Sequence, residues 1–349
     1  MKPFQLGDHP VGDGAPAFIV MEVAQAHEGS LGQAHAFIDL AASKGADAVK
    51  FQTHIAAAES TAREEFRVKF SYQDATRYDY WKRMEFTPAQ WAGLRDHAAS
   101  LRLEFLSSPF SVEAVELLEH LGVPAWKLGS GEVLNAPLLD AVLRTGKPVL
   151  LSSGMSTWME TDAVVGRIRA AGVPFLVYQC TSRYPTAPEE VGLNLLPVLR
   201  SRYGCPVGLS DHSGDPCFGI AAVALGATSV EVHMTMSESS FGPDVPASLT
   251  PEKLGILVDG IRKVERALGM ASAAKDDFAS ANSDLRTLFG RSVVAREDLA
   301  AGTVLSAGCL AVKKPGGGVA PDGIGALIGR HLRHAVGRDQ LIRLEDVEE

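Results

Sequence analysis

Two histidines each stand at the end of an apolar run: His212 closes CPVGLSDH and His233 closes TSVEVH. Runs rich in Val and Leu and bounded by Gly or Pro predict short buried strands. Imidazoles at the ends of neighbouring parallel strands reach a common ion. Two protein ligands leave other positions for water or substrate, as Lewis-acid catalysis requires. The bland alternative is a pair of satisfied histidines at a sheet end. The polar residues that cluster at the same end of nearly every other run weigh against it.

Those ends read, in order, Glu22; Lys50 and Gln52; Ser107 and Ser108; Lys127, Ser130 and Glu132; Ser152 and Ser153; Thr181, Ser182 and Tyr184; Ser210, Asp211 and His212; Glu231 and His233. Hydroxyls and lysine ammoniums are ligands for phosphate and carboxylate oxygens. Any one serine is more often a turn residue capping the next helix. Serines at five strand ends, with Lys50 in DAVKF and Lys127 in AWKLG, point instead to an anion site, because lysine is seldom buried without a partner. Glu22, Glu132 and Glu231 either pair with these lysines or do acid–base work, and among three at least one such role is expected. Asp244, in the turn that follows the last run, adds a carboxylate over the same end.

The elements that must hold these residues alternate. FIVMEVA, ADAVKFQ, LEFLSS, PAWKLGS, KPVLLSSG, PFLVYQC, CPVGLSDH and TSVEVHMT each precede a helical pattern. One such helix opens at TPAQW, with Thr87 as N-cap and Pro88 at the first helical position. A polar, aromatic insertion runs from about Ala57 to Glu85. Eight β-then-α units predict an α/β fold, a closed (β/α)8 TIM barrel over residues 1–270. Residues 271–284, small and Ala/Ser-rich, read as a linker. Residues 285–349 read as a small β-rich module whose strand-like runs are RSVVA, DLAAGTVLS, LAVKKPGGGV and DQLIRLEDV. A module that small gains from docking on a partner.

The chain has 349 residues, 46% of them apolar, enough for a large core. A net charge of −9 argues against nucleic acid as a partner. No run is long and apolar enough to span a membrane, and the polar N-terminus does not resemble a signal peptide. Four scattered cysteines without a CxxC pair suggest reduced thiols and a cytoplasmic location.

EVAQAHEGSLGQA, GADAVKFQTH, FLSSPFS, WKLGSGEVLNAPLL, LLSSGM, CTSRYPT, GLSDHSG, VEVHMT and GPDVPASLTPE resemble, in this order, the sialic acid synthase family, more broadly the nonulosonic acid synthases. RSVVAREDLAAGTVLSAGCLAVKKPGGGV resembles the antifreeze-like (SAF) domain that ends those enzymes. The resemblance implies that His212 and His233 hold a divalent metal, Mn2+ first, with Mg2+ or Co2+ as alternatives. It implies that Lys50, Ser108, Lys127, Ser130, Ser152, Ser182 and Ser210 bind phosphoenolpyruvate. Glu22, Tyr184 and Asp244 match residues that contact the amino-hexose, while Glu132 and Glu231 match carboxylates placed to manage water and protons. Lys314 stands where the family often has an arginine that reaches the sugar in the partner subunit's site. The implied assembly is a domain-swapped homodimer.

Three departures lie where the acceptor would sit. Ala26-His27 replaces Asn-His, Lys313-Lys314-Pro315-Gly316 replaces Lys-Arg-Pro-Gly, and FRVKFSYQDATRYDYWKRMEF replaces a different loop. N-acetylmannosamine and a 2,4-diacetamido-2,4,6-trideoxyhexose are both open as acceptors. Three rivals stand beside this reading. One is a Schiff-base aldolase using Lys50 or Lys127. The second is a phosphoenolpyruvate-dependent synthase that takes a phosphorylated aldose. The third is a non-enzymatic ice-binding module, which would leave the barrel residues unexplained.

Overall fold

Alternate side chains of a strand face opposite ways, so each apolar run must serve two environments. In the computed structural model, which describes residues 3–66, 69–269 and 275–349, they do so as a barrel. A hairpin of β1 (Phe4–Leu6) and β2 (His9–Val11) comes first. Eight parallel strands follow: β3 (Phe18–Ala24), β4 (Ala48–Thr53), β5 (Glu104–Pro109), β6 (Trp126–Leu128), β7 (Val149–Ser152), β8 (Phe175–Cys180), β9 (Val207–Asp211) and β10 (Ser229–His233). Their order is β5-β4-β3-β10-β9-β8-β7-β6. β5 and β6, the two ends of that order, lie side by side and close the ring. The expected TIM barrel is the fold.

One parity of each strand packs outward. Ile19, Met21, Val49, Phe51, Leu151, Val177, Leu209 and Val230 join the helices in one large core. The other parity fills the lumen, where Phe18, Val20, Ala48, Leu106, Leu150, Leu176 and Tyr178 form a second core with Leu6 and Val11 of the hairpin. The hairpin thus plugs the N-terminal end, a role that its short, polar sequence does not announce. Gly208 leaves room for Tyr178, since a Cβ there would lie 2.5 Å from the ring.

The expected helix opening at Thr87 is present. Thr87 accepts from the Gln90 N–H, Gln90 returns the bond, and Pro88 stands at the first turn. The insertion carries two short helices, Ala56–Glu59 and Arg77–Met84; Arg67 and Val68 lie outside the described residues.

The chain divides into two compact units, Met1–Leu268 and Gly269–Glu349. The expected boundary at 270 and residues 271–274 of the expected linker lie outside the described residues. Its remainder is helical, Lys275–Ala281 and Ser283–Phe289, because Ala, Leu, Lys and Arg are good helix formers and Asp276 and Asp277 favour a first turn. In the module, β11 (Ser292–Ala295) pairs antiparallel with β12 (Leu310–Lys313), and β13 (His331–Leu332) with β14 (Val347–Glu348). The expected strand over DLAAGTVLS is not one. Gly302, at a φ of 79°, turns the chain, and only Leu299 and Val304 make single bridges. Val293, Leu305, Leu310, Leu327, Leu332 and Ile342 are among the residues of its own core.

Candidate active site

The inward parity that carries Phe18, Val20, Ala48 and Leu106 continues to the C-terminal ends of the strands, where its members become polar. Register completes the placement: Glu22 lies opposite Lys50 and His233, and Glu231 opposite Ser210. A bulge follows Glu22, and Ala24 takes a φ of 46°.

Six of the expected residues meet there. Lys50 Nζ lies 2.6 Å from Glu22, 3.7 Å from Glu231 and 3.3 Å from Ser108 Oγ. Lys127 Nζ donates to Glu231 Oε1 at 2.8 Å, and Ser210 Oγ donates to the same oxygen at 3.1 Å. All six are buried. Burial pushes Glu22 up to about 7, over the opposing pull of Lys50. Burial also works to raise Glu231, but Lys127 and Lys50 outweigh it and hold the carboxyl at about 2. Two lysines therefore face one firmly ionised carboxylate and one that titrates near neutrality, which favours an incoming anion. Among the described residues, neither Glu231 Oε2 nor Ser152 Oγ, both buried, has a hydrogen-bond partner, so the hydroxyl is open to an anion's oxygen and the carboxylate oxygen to a proton donor such as water.

A second group adjoins Gly154. Its N–H donates to Ser130 Oγ at 3.1 Å. A Cβ at Gly154 would stand 2.8 Å from both Ser130 Oγ and Ser182 Oγ. Glycine keeps this small cradle of hydroxyls open. Ser153 faces away and donates to the Tyr178 carbonyl.

The histidines form a third group. His212 Nδ1 donates to the Thr181 carbonyl at 2.8 Å, which presents Nε2 as the lone pair. The ring centroids of His212 and His233 are 5.1 Å apart. Burial, reinforced by His212, holds His233 neutral, well below the usual imidazole range. Asp244 Oδ2 is 3.8 Å from His233 Nδ1. Tyr184 stacks on His212 at 4.2 Å, and its hydroxyl donates to Nε2 at 3.1 Å. Among the described residues, no three His, Cys, Asp or Glu side chains gather closely enough to hold a metal. Burial works to lower His212 as well, but Cys180 and the Thr181 carbonyl outweigh it and raise its pKa. His233, held neutral, and His212, once Nε2 is free of a proton, fit a divalent ion that draws its remaining ligands from water or substrate, with the half-exposed Tyr184 giving way at Nε2.

Glu132 stands apart from the lysines. Asn135 donates to it at 2.7 Å. Burial raises its pKa, and the Glu59 charge adds to the rise. Lys314 belongs to the second unit, where its Nζ lies 5.3 Å from the Phe289 ring. Sequence reasoning expected a lysine beside Glu22 and named Gln52 at a strand end, but gave Gln52 no role and missed Gln25. Gln52 Nε2 donates to Glu22 Oε1 at 3.0 Å, and Gln25 Nε2 donates to Gln52 Oε1 at 2.9 Å. The QTH that continues the DAVKF run was the available signal.

The NeuB family model matches residues 37–273, and the SAF domain model matches residues 290–348. The chain belongs to the NeuB family. The N,N'-diacetyllegionaminic acid synthase of Campylobacter jejuni is 31% identical over 333 residues, covering 93% of this chain and 98% of that one. The N-acetylneuraminate-9-phosphate synthase of Homo sapiens is 33% identical over 349 residues, covering 97% and 94%. Among solved structures, the N-acetylneuraminic acid (sialic acid) synthetase of Leptospira borgpetersenii superimposes with a TM-score of 0.73 at 27% identity, covering 82% of this chain and 97% of that one.

Proposed function

We propose that this NeuB-family chain is a nonulosonic acid synthase. It joins phosphoenolpyruvate to the aldehyde carbon of an N-acylated amino-hexose and releases inorganic phosphate. The observation that carries the reading is the buried Lys50–Glu231–Lys127 cluster, with a buried Ser152 hydroxyl that has no partner among the described residues, in the same barrel mouth as His212 and His233.

Lys50 and Lys127 neutralise the phosphate and carboxylate of phosphoenolpyruvate, and Ser108, Ser130, Ser152, Ser182 and Ser210 bind its oxygens. His212 and His233 would hold a divalent ion such as Mn2+, which when bound supplies Lewis-acid polarisation of the aldehyde oxygen. The enol carbon forms the new bond to the aldehyde carbon, the aldehyde oxygen becomes a hydroxyl, water adds to the central enolpyruvyl carbon, and the carbon–oxygen bond to phosphate breaks. Glu231 is a poor base because two lysines hold it ionised. Glu132, raised by burial and by Glu59, is the better group to take the proton of that water. Glu22, Tyr184 and Asp244 orient the sugar. The chain works as a domain-swapped homodimer in which Lys314 reaches the partner's acceptor pocket.

The test is phosphate release from phosphoenolpyruvate with a panel of amino-hexoses, N-acetylmannosamine and a 2,4-diacetamido-2,4,6-trideoxyhexose among them. Acceptor-dependent release with carbon–carbon bond formation is expected. Borohydride trapping of pyruvate on Lys50 or Lys127, without phosphate release, would instead establish the Schiff-base aldolase.

A further inference from the structure

Beside the cluster of lysines and glutamates lies a histidine that takes no part in the proposed reaction. His54 follows β4 and is 4% exposed. Its ring is clamped between Trp81, at 4.1 Å and 12° between planes, and Phe110, at 4.5 Å and 9°. Both ring nitrogens face oxygen acceptors. Nδ1 lies 2.6 Å from Glu59 Oε1, and Nε2 lies 3.3 Å from Gln52 Oε1. Gln52 in turn donates to Glu22 Oε1 at 3.0 Å. The result is one line of hydrogen bonds, Glu59–His54–Gln52–Glu22. It runs from the short helix at the start of the insertion to the carboxylate that pairs with Lys50.

A glutamine amide has two orientations that exchange its donor and acceptor ends. Only the one with Oε1 toward His54 and Gln25 turns the Nε2 donor onto Glu22. Two flat rings fix the plane of the imidazole, and Glu59 fixes its rotation within that plane. Trp81 comes from the insertion helix Arg77–Met84 and Phe110 from the end of β5, so separate parts of the chain converge on one ring. This arrangement aims a side chain rather than filling space.

We propose that His54, oriented by Glu59 and clamped by Trp81 and Phe110, is a positioning residue that sets the Gln52 amide and, through it, the Glu22 carboxylate for reaction with the acceptor. The inference rests on the proposed synthase reading for its effect on turnover, but its structural content stands without it.

The test exploits the shape of the two amide side chains. The amide of Gln reaches where Nε2 of His stands, whereas that of Asn reaches only where Nδ1 stands. His54→Gln therefore keeps the donor to Gln52, while His54→Asn keeps only the contact to Glu59, and both lose the stacked ring. His54→Phe keeps the stack and loses both hydrogen bonds. Steady-state kinetics on the full-length protein should show kcat reduced about 10- to 100-fold in His54→Phe and His54→Asn. KM for phosphoenolpyruvate should stay within about twofold. His54→Gln should recover kcat to within about fivefold of the parent. Equal loss in His54→Asn and His54→Gln, or full kcat in His54→Phe, would overturn the proposal. A readout that needs no turnover is hydrogen exchange of the Gln52 side-chain amide, assigned by its loss in Gln52→Met. Slow exchange is expected in the parent and in His54→Gln, and fast exchange in the other two. Identical exchange in all four proteins would refute the positioning role even if no acceptor supported phosphate release, an outcome that by itself would count only against the synthase reading. Should His54→Phe fail to fold, Glu59→Gln provides the same comparison from the other end of the line.

Discussion

Lys127 Nζ and Glu231 Oε1 meet at 2.8 Å with both side chains 4% exposed, and they come from β6 and β10, strands that share no hydrogen bonds. The pair therefore spans the lumen instead of following a sheet register. A cation so placed serves either to balance Glu231 or to receive an anion from the mouth. The buried Ser152 Oγ, a donor without a partner among the described residues, favours the second use.

Lys127→Met should weaken phosphoenolpyruvate binding by about 2–5 kcal/mol, the range for truncating one partner of a buried charged pair. It should also lower the melting temperature, because Glu231 is left with the Ser210 hydroxyl and with Lys50 at 3.7 Å. Calorimetric titration of phosphoenolpyruvate and a thermal scan measure the two effects. Unchanged affinity would remove β6 from the anion site.

His212→Ala and His233→Ala should each abolish Mn2+ binding and turnover while the circular dichroism spectrum stays that of the parent. His212 packs against Tyr184 and His233 at the mouth and takes no part in the apolar cores. Titration of the apoprotein with Mn2+, followed by electron paramagnetic resonance, reports binding without reference to activity. Full turnover after verified removal of metal would overturn the assignment.

The barrel and its lysines were legible because one rule governs both. A period of two places Lys50 on the inward parity of Ala48, and Glu22 on that of Val20, and the register then brings the two side chains together. Partners set by chain path were not legible. The link from Glu59 through His54 to Gln52 depends on how the insertion turns back, and no periodicity encodes that. Tyr184 on His212 likewise joins the loop after β8 to the end of β9. In the module, DLAAGTVLS has the composition of a strand, but Gly302 and short pairings divide it into turns. The N-terminal hairpin was missed because three-residue strands leave no pattern to count.

Acid should destabilise the fold through His27. This ring is fully buried beside Phe86 and Phe51, accepts the Gly29 N–H at Nδ1, and among the described residues has no partner for Nε2. Burial lowers its pKa from 6.5 to about 3. Between those values the unfolded chain holds a proton that the folded one refuses. Stability is therefore intact above pH 6.5 and falls by about 1.4 kcal/mol per pH unit as pH drops toward 3. His27→Asn, which keeps an acceptor for Gly29, should flatten that slope. Urea denaturation at a series of pH values measures it, and the same slope in both proteins would assign the acid sensitivity to other groups.

The proposed crossing of the C-terminal module between subunits makes a quantitative prediction. If Lys314 of one chain completes the barrel of the other, a His212→Ala chain mixed with a Lys314→Ala chain forms heterodimers in which one site lacks both groups and the other keeps both. Random exchange makes half of the dimers mixed, so about a quarter of all sites should be intact. Phosphate release should recover to that fraction although each parent variant is inactive. If Lys314 acts within its own chain, every site in the mixture lacks one group and nothing is recovered. Lys314→Arg restores the planar fork with its bidentate reach and should shift preference among acceptors while phosphoenolpyruvate affinity stays the same. Truncation before Ser292 should cost acceptor-dependent turnover but not phosphoenolpyruvate binding. A truncated monomer with the full rate would show that the barrel works without its partner's module.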